Sequence, residues 1–162
     1  MRRRNRGGFT IVELLVVIAI IAILMAIATV AYLAALDRTR LKRTVADMRS
    51  IALAWEARAA DTNSYTAAGL DYPTSAALEY KDFRVLLQPT YLRTVPQYDS
   101  WGRRFEFAAT SDPREYFIRA AGRDGRFDDP PAYTPGETSD PDCDIVYANG
   151  AFVQFPGVAQ SP

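Results

Sequence analysis

The chain has 162 residues, enough for one membrane-anchoring helix and one small globular domain, and its 19 basic residues balance its 19 acidic ones. It contains no histidine and a single cysteine, Cys143. That excludes an intrachain disulfide, Ser-His-Asp and Cys-His nucleophilic sites, H-E-x-x-H metalloprotease sites and Cys/His zinc sites, and the balanced charge makes general nucleic-acid binding a poor fit.

Arg2, Arg3, Arg4 and Arg6 lead through Gly7 and Gly8 into Phe9-Thr10-Ile11-Val12-Glu13, after which Leu14 to Leu36 carries no charge. The uncharged run is close to the roughly 20 residues that a helix needs to cross a bilayer core. Glu13 is the exception. A carboxylate costs about 2.5–3.5 kcal/mol at the centre of a membrane helix and less near its end, so an acid here reads as a functional site whose partner has to be named. A cut after Gly8 removes all four leading arginines and leaves Phe9 with a free ammonium one helical turn from Glu13. That ammonium on one subunit can neutralise the carboxylate of the next. A secretory signal peptide has a shorter apolar core and a small-residue cleavage site after it. A plain signal anchor explains the length but gives Glu13 no purpose. Charge leaves orientation tied, because Arg38, Arg40, Lys42 and Arg43 follow the span as closely as the first arginines precede it.

The stretch from Gly7-Gly8-Phe9 through Glu13 to Ala28 resembles the leader and first helix of type IV pilins and of the pseudopilins of type II secretion. The resemblance implies that a prepilin peptidase cuts after Gly8 and methylates Phe9, and that Glu13 guides docking into a filament. It also implies a leader in the cytoplasm and the rest of the chain outside. Residues 1–8 are then a leader and residues 9–36 the transmembrane or filament-core half of a helix. Residues 37–60 form the amphipathic half, and 61–162 a globular domain. Many members of that family carry proline where this chain has Val30; without that breaker a more continuous helix is expected.

From Asp37 the pattern becomes amphipathic. Leu41, Val45, Met48, Ala52, Trp55 and Ala59 recur at helical spacing, with Arg40, Arg43, Asp47 and Arg58 on the opposite face. An unbroken helix from Phe9 to Ala60 spans about 78 Å at 1.5 Å per residue. Arg38, Arg40, Lys42 and Arg43 read as an interfacial anchor rather than a phosphate site. Trp55 and Trp101 read as core residues rather than a stacking platform.

Asp61 to Gln97 reads as a loop and a short helix. Tyr72-Pro73-Thr74-Ser75 forms a turn, and Ala77, Leu78, Phe83, Leu86 and Leu87 supply an apolar face that ends before Pro89. Four strands follow, Arg104 to Ala108, Glu115 to Ala120, Asp144 to Tyr147 and Ala151 to Phe155. They are separated by turns at Ser111-Asp112-Pro113, Asp124-Gly125 and Asn149-Gly150. The expected fold is α+β: a long N-terminal α-helix, transmembrane then amphipathic, packed on a small antiparallel β-sheet in the type IV pilin-like manner.

Asp99-Ser100-Trp101-Gly102 and Gly122-Arg123-Asp124-Gly125 resemble the D-P-W-G turn and G-x-D-G loop of the major pseudopilins of type II secretion, with Ser100 in place of the usual proline. That resemblance implies a calcium ion held by Asp124 and by Asp144, which precedes Ile145; Asp128, Asp129, Asp140 and Asp142 lie nearby in sequence. Calcium takes six to eight oxygen ligands. The proline-rich segment Asp129 to Gly136 lengthens the loop, and the spacing is not that of an EF-hand. The alternative is a plain turn among solvated aspartates.

Together with these features, the resemblance implies a non-enzymatic, single-pass inner-membrane subunit with its globular domain in the periplasm. It forms a homopolymer, the filament of a type II secretion pseudopilus, and its partners are the prepilin peptidase, minor pseudopilins, the inner-membrane assembly platform with its ATPase, and the bilayer. The alternatives are a type IV pilin forming a surface fibre for adhesion, twitching or DNA uptake, and a membrane-anchored binding protein that never polymerises.

Overall fold

The computed structural model describes residues 8–63, 78–109, 115–128, 135–138, 140 and 142–156. Most of the leader, the Tyr72-Pro73-Thr74-Ser75 and Ser111-Asp112-Pro113 turns, and all but the end of the proline-rich segment lie outside them.

A run without proline or glycine from Phe9 to Ser64 has no backbone reason to break. It forms helix α1, Ile11–Thr62, 52 residues long. Its limits lie two residues later than the pattern suggests. Thr10 precedes the first turn, and Asn63 follows the last one in the left-handed region at φ 54°. Val30 leaves the helix uninterrupted, and Thr29 Oγ1 donates back to the Met25 carbonyl at 2.7 Å within it. The chain divides into two compact units, one ending at Asp37 and the other beginning at Arg38.

In the second unit, all six residues of the expected apolar stripe are buried, and Thr44, Ile51 and Ala54 join them. Arg58 is a correction. Placed on the polar face by sequence, it is 7 % exposed, because a residue three beyond Trp55 returns to the edge of the buried stripe. Helix α2, Tyr80–Leu87, buries Phe83 and Leu87 against the same core. The Tyr80 hydroxyl donates to the Val95 carbonyl at 2.9 Å, fastening the chain that leaves α2.

Five strands form one sheet: β1 Glu106–Ala109, β2 Tyr116–Ala120, β3 Gly136–Thr138, β4 Ile145–Ala148 and β5 Ala151–Pro156. Their order is β1-β2-β4-β5-β3, antiparallel throughout except that β3 runs parallel to β5. The α+β architecture is as expected, and the sheet is mixed rather than purely antiparallel. β3 is three residues with no alternating pattern beside a proline-rich run, so it carried no strand signal. β1 starts at Glu106 because Arg104 makes only an isolated bridge to Tyr98. The two-residue turn at Asn149-Gly150 joins β4 to β5 with both residues at positive φ, 49° and 91°, as a type I′ hairpin requires.

Aromatic rings join helix to sheet. Trp55 meets Phe83 edge-on at 4.6 Å and Tyr116 at 4.8 Å, and Phe83 stacks on Phe107 at 4.0 Å. All four are buried. The Tyr116 hydroxyl donates to Glu56 on α1, which gives its polar end a partner.

Candidate functional site

At the amino end, Gly8 is open on all sides and Phe9 is 75 % exposed. Thr10 accepts the first intrahelical bond, from the Leu14 amide at 3.3 Å. Its backbone N–H donates to Glu13 Oε2 at 2.9 Å, its hydroxyl donates to the same oxygen at 2.7 Å, and the Glu13 amide donates to Thr10 Oγ1 at 3.2 Å. This reciprocal arrangement is a capping box. It satisfies donors at the helix start and sets a carboxylate at the positive end of the helix dipole. Glu13 therefore has a partner within its own chain, besides the one on another copy that its charge implies. The spacing Thr10-x-x-Glu13 ahead of an apolar run is the signal for its local partner.

Beyond the cap, every residue from Ile11 to Ala35 is exposed, including Ile11 at 79 % and Val30 at 72 %. The helix is long and apolar enough to cross a membrane, and none of its most apolar window is buried within the fold. A core helix of the same composition would be covered by its own protein. An all-round apolar surface is stable only in lipid or against other apolar helices.

Arg38, Arg40, Lys42 and Arg43 are all exposed on α1. Arg43 reaches Asp47 at 4.0 Å, one turn on, while burial pushes the Asp47 carboxyl up from its ordinary value. Trp55 is fully buried and Trp101 packs on the core, so neither offers a stacking surface.

The Asp99-Ser100-Trp101-Gly102 turn is docked on α1. Asp99 Oδ1 accepts from the Trp101 amide at 2.9 Å and the Arg103 amide at 2.8 Å, and the Ser100 amide donates to buried Thr44 Oγ1 at 3.1 Å. Gly102 supplies φ 81°. With these bonds in place the turn does not require proline at Ser100. Burial raises the Asp99 carboxyl despite the amides it accepts.

The acidic loop brings its two ends together. A Cβ on Gly122 would stand 2.3 Å from the Cys143 carbonyl oxygen, so the Gly122 backbone lies directly on the segment that enters β4. Asp124 Oδ1 accepts from the Arg126 amide at 3.0 Å, closing its own turn. The Asp128 amide donates to Asp144 Oδ2 at 3.0 Å. Asp142 is held by Arg123 through two parallel bonds of 2.8 and 2.9 Å, which lowers its carboxyl below the ordinary range. Asp144 is fully buried. Its Oδ2 also faces Arg119 Nη1 at 3.6 Å, and burial pushes its carboxyl up to about 6, with the charges of Asp128 and Asp124 adding to the rise. Its Oδ1 has no hydrogen-bond partner. Among the described residues, no three acidic, cysteine or histidine side chains come together as a metal-holding group.

A family model for the prokaryotic N-terminal methylation motif matches residues 3–29. The chain is 28 % identical over 127 residues to the type II secretion system core protein G of Klebsiella michiganensis, covering 77 % of this chain and 89 % of the relative. It is 26 % identical over 128 residues to the protein of the same name from Pseudomonas aeruginosa, covering 78 % and 89 %. No solved structure matches the chain.

Proposed function

We propose that this chain, which belongs to the type IV pilin-like family and is most like the major pseudopilins of type II secretion, is the subunit of a pseudopilus that polymerises through its N-terminal helix and drives protein export across the outer membrane. It is a structural protein and not an enzyme. The observation that carries the reading is the pairing of a methylation motif at residues 3–29 with an apolar helix surface that its own fold leaves bare from Ile11 to Ala35.

The mechanism needs three things of the sequence. Gly8, with no side chain to obstruct a protease, admits the prepilin peptidase, which frees the Phe9 amine and methylates it. The Phe9 ammonium of one copy meets the Glu13 carboxylate of its neighbour and neutralises it in an apolar setting, where opposite charges attract strongly. The span from Leu14 to Leu36 exchanges lipid for identical helices, at little cost in apolar burial. The bilayer, minor pseudopilins and an inner-membrane assembly platform with its ATPase are the partners of that exchange. The globular domain then lies on the periplasmic side.

Mass spectrometry of the membrane-extracted protein tests the reading. A mass lacking Met1 to Gly8 and gaining one methyl group is expected; an intact leader overturns it in favour of a simple anchor. Filaments extending beyond the cell surface would instead favour a type IV pilus, the fibre used in adhesion, twitching or DNA uptake.

A further inference from the structure

In the family's pattern the loop between Gly122 and Asp144 is organised by a calcium ion, and the donors of this chain are arranged differently. Asp142 gives both oxygens to Arg123, Asp124 Oδ1 is spent on the Arg126 amide, and Asp144 Oδ2 is shared by the Asp128 amide and Arg119. The geometry points to a loop closed by two fixed guanidinium groups in place of a divalent cation.

Arg119 is the inner of the two. It projects from β2, and its Nη1 donates to the Asp128 carbonyl at 3.0 Å while facing Asp144. Its Nε donates to Glu106 on β1 at 3.0 Å, and its guanidinium lies over the Phe127 ring at 4.4 Å from the centroid. One side chain therefore ties two strands, the descending limb of the loop and the entry to β4. Its charge is opposed to Asp144 and Glu106, and Asp128 lies on the same limb. A calcium ion there would compete with an immobile positive charge that cannot deprotonate. Arg123 is the outer clasp. It fixes Asp142 in the bidentate geometry at which guanidinium and carboxylate match, one residue from the point where Gly122 rests on the backbone of Cys143. Among the described residues, Asp144 Oδ1 is a buried loop oxygen without a hydrogen-bond partner, and one such oxygen falls far short of a calcium coordination shell.

The inference does not depend on polymerisation, so it and the pseudopilus reading stand or fall separately. The test uses the full chain in detergent. Its thermal midpoint is measured with a chelator, with no addition and with calcium chloride, alongside a calorimetric titration of calcium chloride. One midpoint for all three conditions and no saturable heat are expected. A midpoint lowered by chelator or raised by calcium, or a saturable binding heat, overturns the proposal. Arg123→Gln, at the half-exposed clasp, should fold and be cut several-fold faster by chymotrypsin within residues 126–143, with calcium giving no protection. Unchanged cutting, or protection by calcium, counts against it. Arg119→Gln should lower the midpoint by several degrees, and an unchanged midpoint overturns the role of the inner clasp.

Discussion

Thr10 and Glu13 complete each other's hydrogen bonding across the first turn of α1, with one carboxylate oxygen accepting both the backbone N–H and the hydroxyl of Thr10. Glu13 thus has a local role in the single chain and a proposed role between chains, and substitutions can separate them. Glu13→Gln keeps an oxygen that can accept from Thr10 but removes the charge. It should leave membrane insertion and helix content unchanged while abolishing filaments, as Glu13→Ala should. Thr10→Val keeps the charge and weakens the cap by about 0.5–2 kcal/mol. Filaments formed normally by Glu13→Gln, seen by electron microscopy of cells overproducing it, would remove the charge from the assembly mechanism.

The core should be most sensitive at Trp55, which is fully buried between α2 and β2 and touches Phe83 and Tyr116. Trp55→Ala should cost about 3–5 kcal/mol, from lost burial and from the cavity left behind. Urea unfolding in detergent, followed by circular dichroism, measures it. A loss below 1 kcal/mol, within the range of an ordinary surface substitution, would mean that the site relaxes around the gap.

The turn at Asp99 should respond to shape more than to charge. Asp99→Ala leaves the part-buried Trp101 and Arg103 amides without their acceptor, at about 0.5–1.5 kcal/mol for each lost hydrogen bond. Asp99→Asn retains an oxygen at the Oδ1 position and removes a charge that burial disfavours, so it should be markedly milder. Thr44→Val should weaken the same turn from the helix side, because it orphans the Ser100 amide. Equal losses for Asp99→Ala and Asp99→Asn would contradict this.

Asp144 gives the domain a pH dependence of definite sign. Its carboxyl rises from 3.8 to about 6 on folding because burial disfavours the anion. The folded state therefore holds a proton that the unfolded chain has already released in that window. Its contribution to stability is complete below 3.8 and is lost as pH rises through about 6. Unfolding midpoints taken across this range should show a falling component, absent in Asp144→Asn. A slope that is identical in the two proteins would assign it to other groups.

Much of this could be read from the chain because its strongest signals are local. The stripe from Leu41 to Ala59 follows from helical periodicity, and the Asn149-Gly150 hairpin from the backbone angles those two residues tolerate. What escaped depends on partners distant in sequence. β3 exists because β5 offers it an edge, and its three residues carry no pattern of their own. Arg58 reads as polar surface until helix geometry returns it beside Trp55. Arg119 gave no hint of its position, since Glu106, Asp128 and Asp144 meet it only after β1, β2 and β4 have paired. The motif sets Asp124 and Asp144 apart from the neighbouring aspartates, but the contacts of each show only in the fold: the Arg126 amide at Asp124, Arg123 at Asp142, and the Asp128 amide with Arg119 at Asp144. Thr10 was the opposite case, a local signal overshadowed by the neighbouring charge.

Both margins of the sheet are short. The outer margin at β3 is only three residues long, and at β1 the Phe107 carbonyl already receives the Leu78 amide at 2.6 Å. Neighbouring molecules find little ribbon to zip onto, so amyloid-like stacking is discouraged. The surface proposed for self-association is instead the greasy rod formed by Ile11 to Ala35.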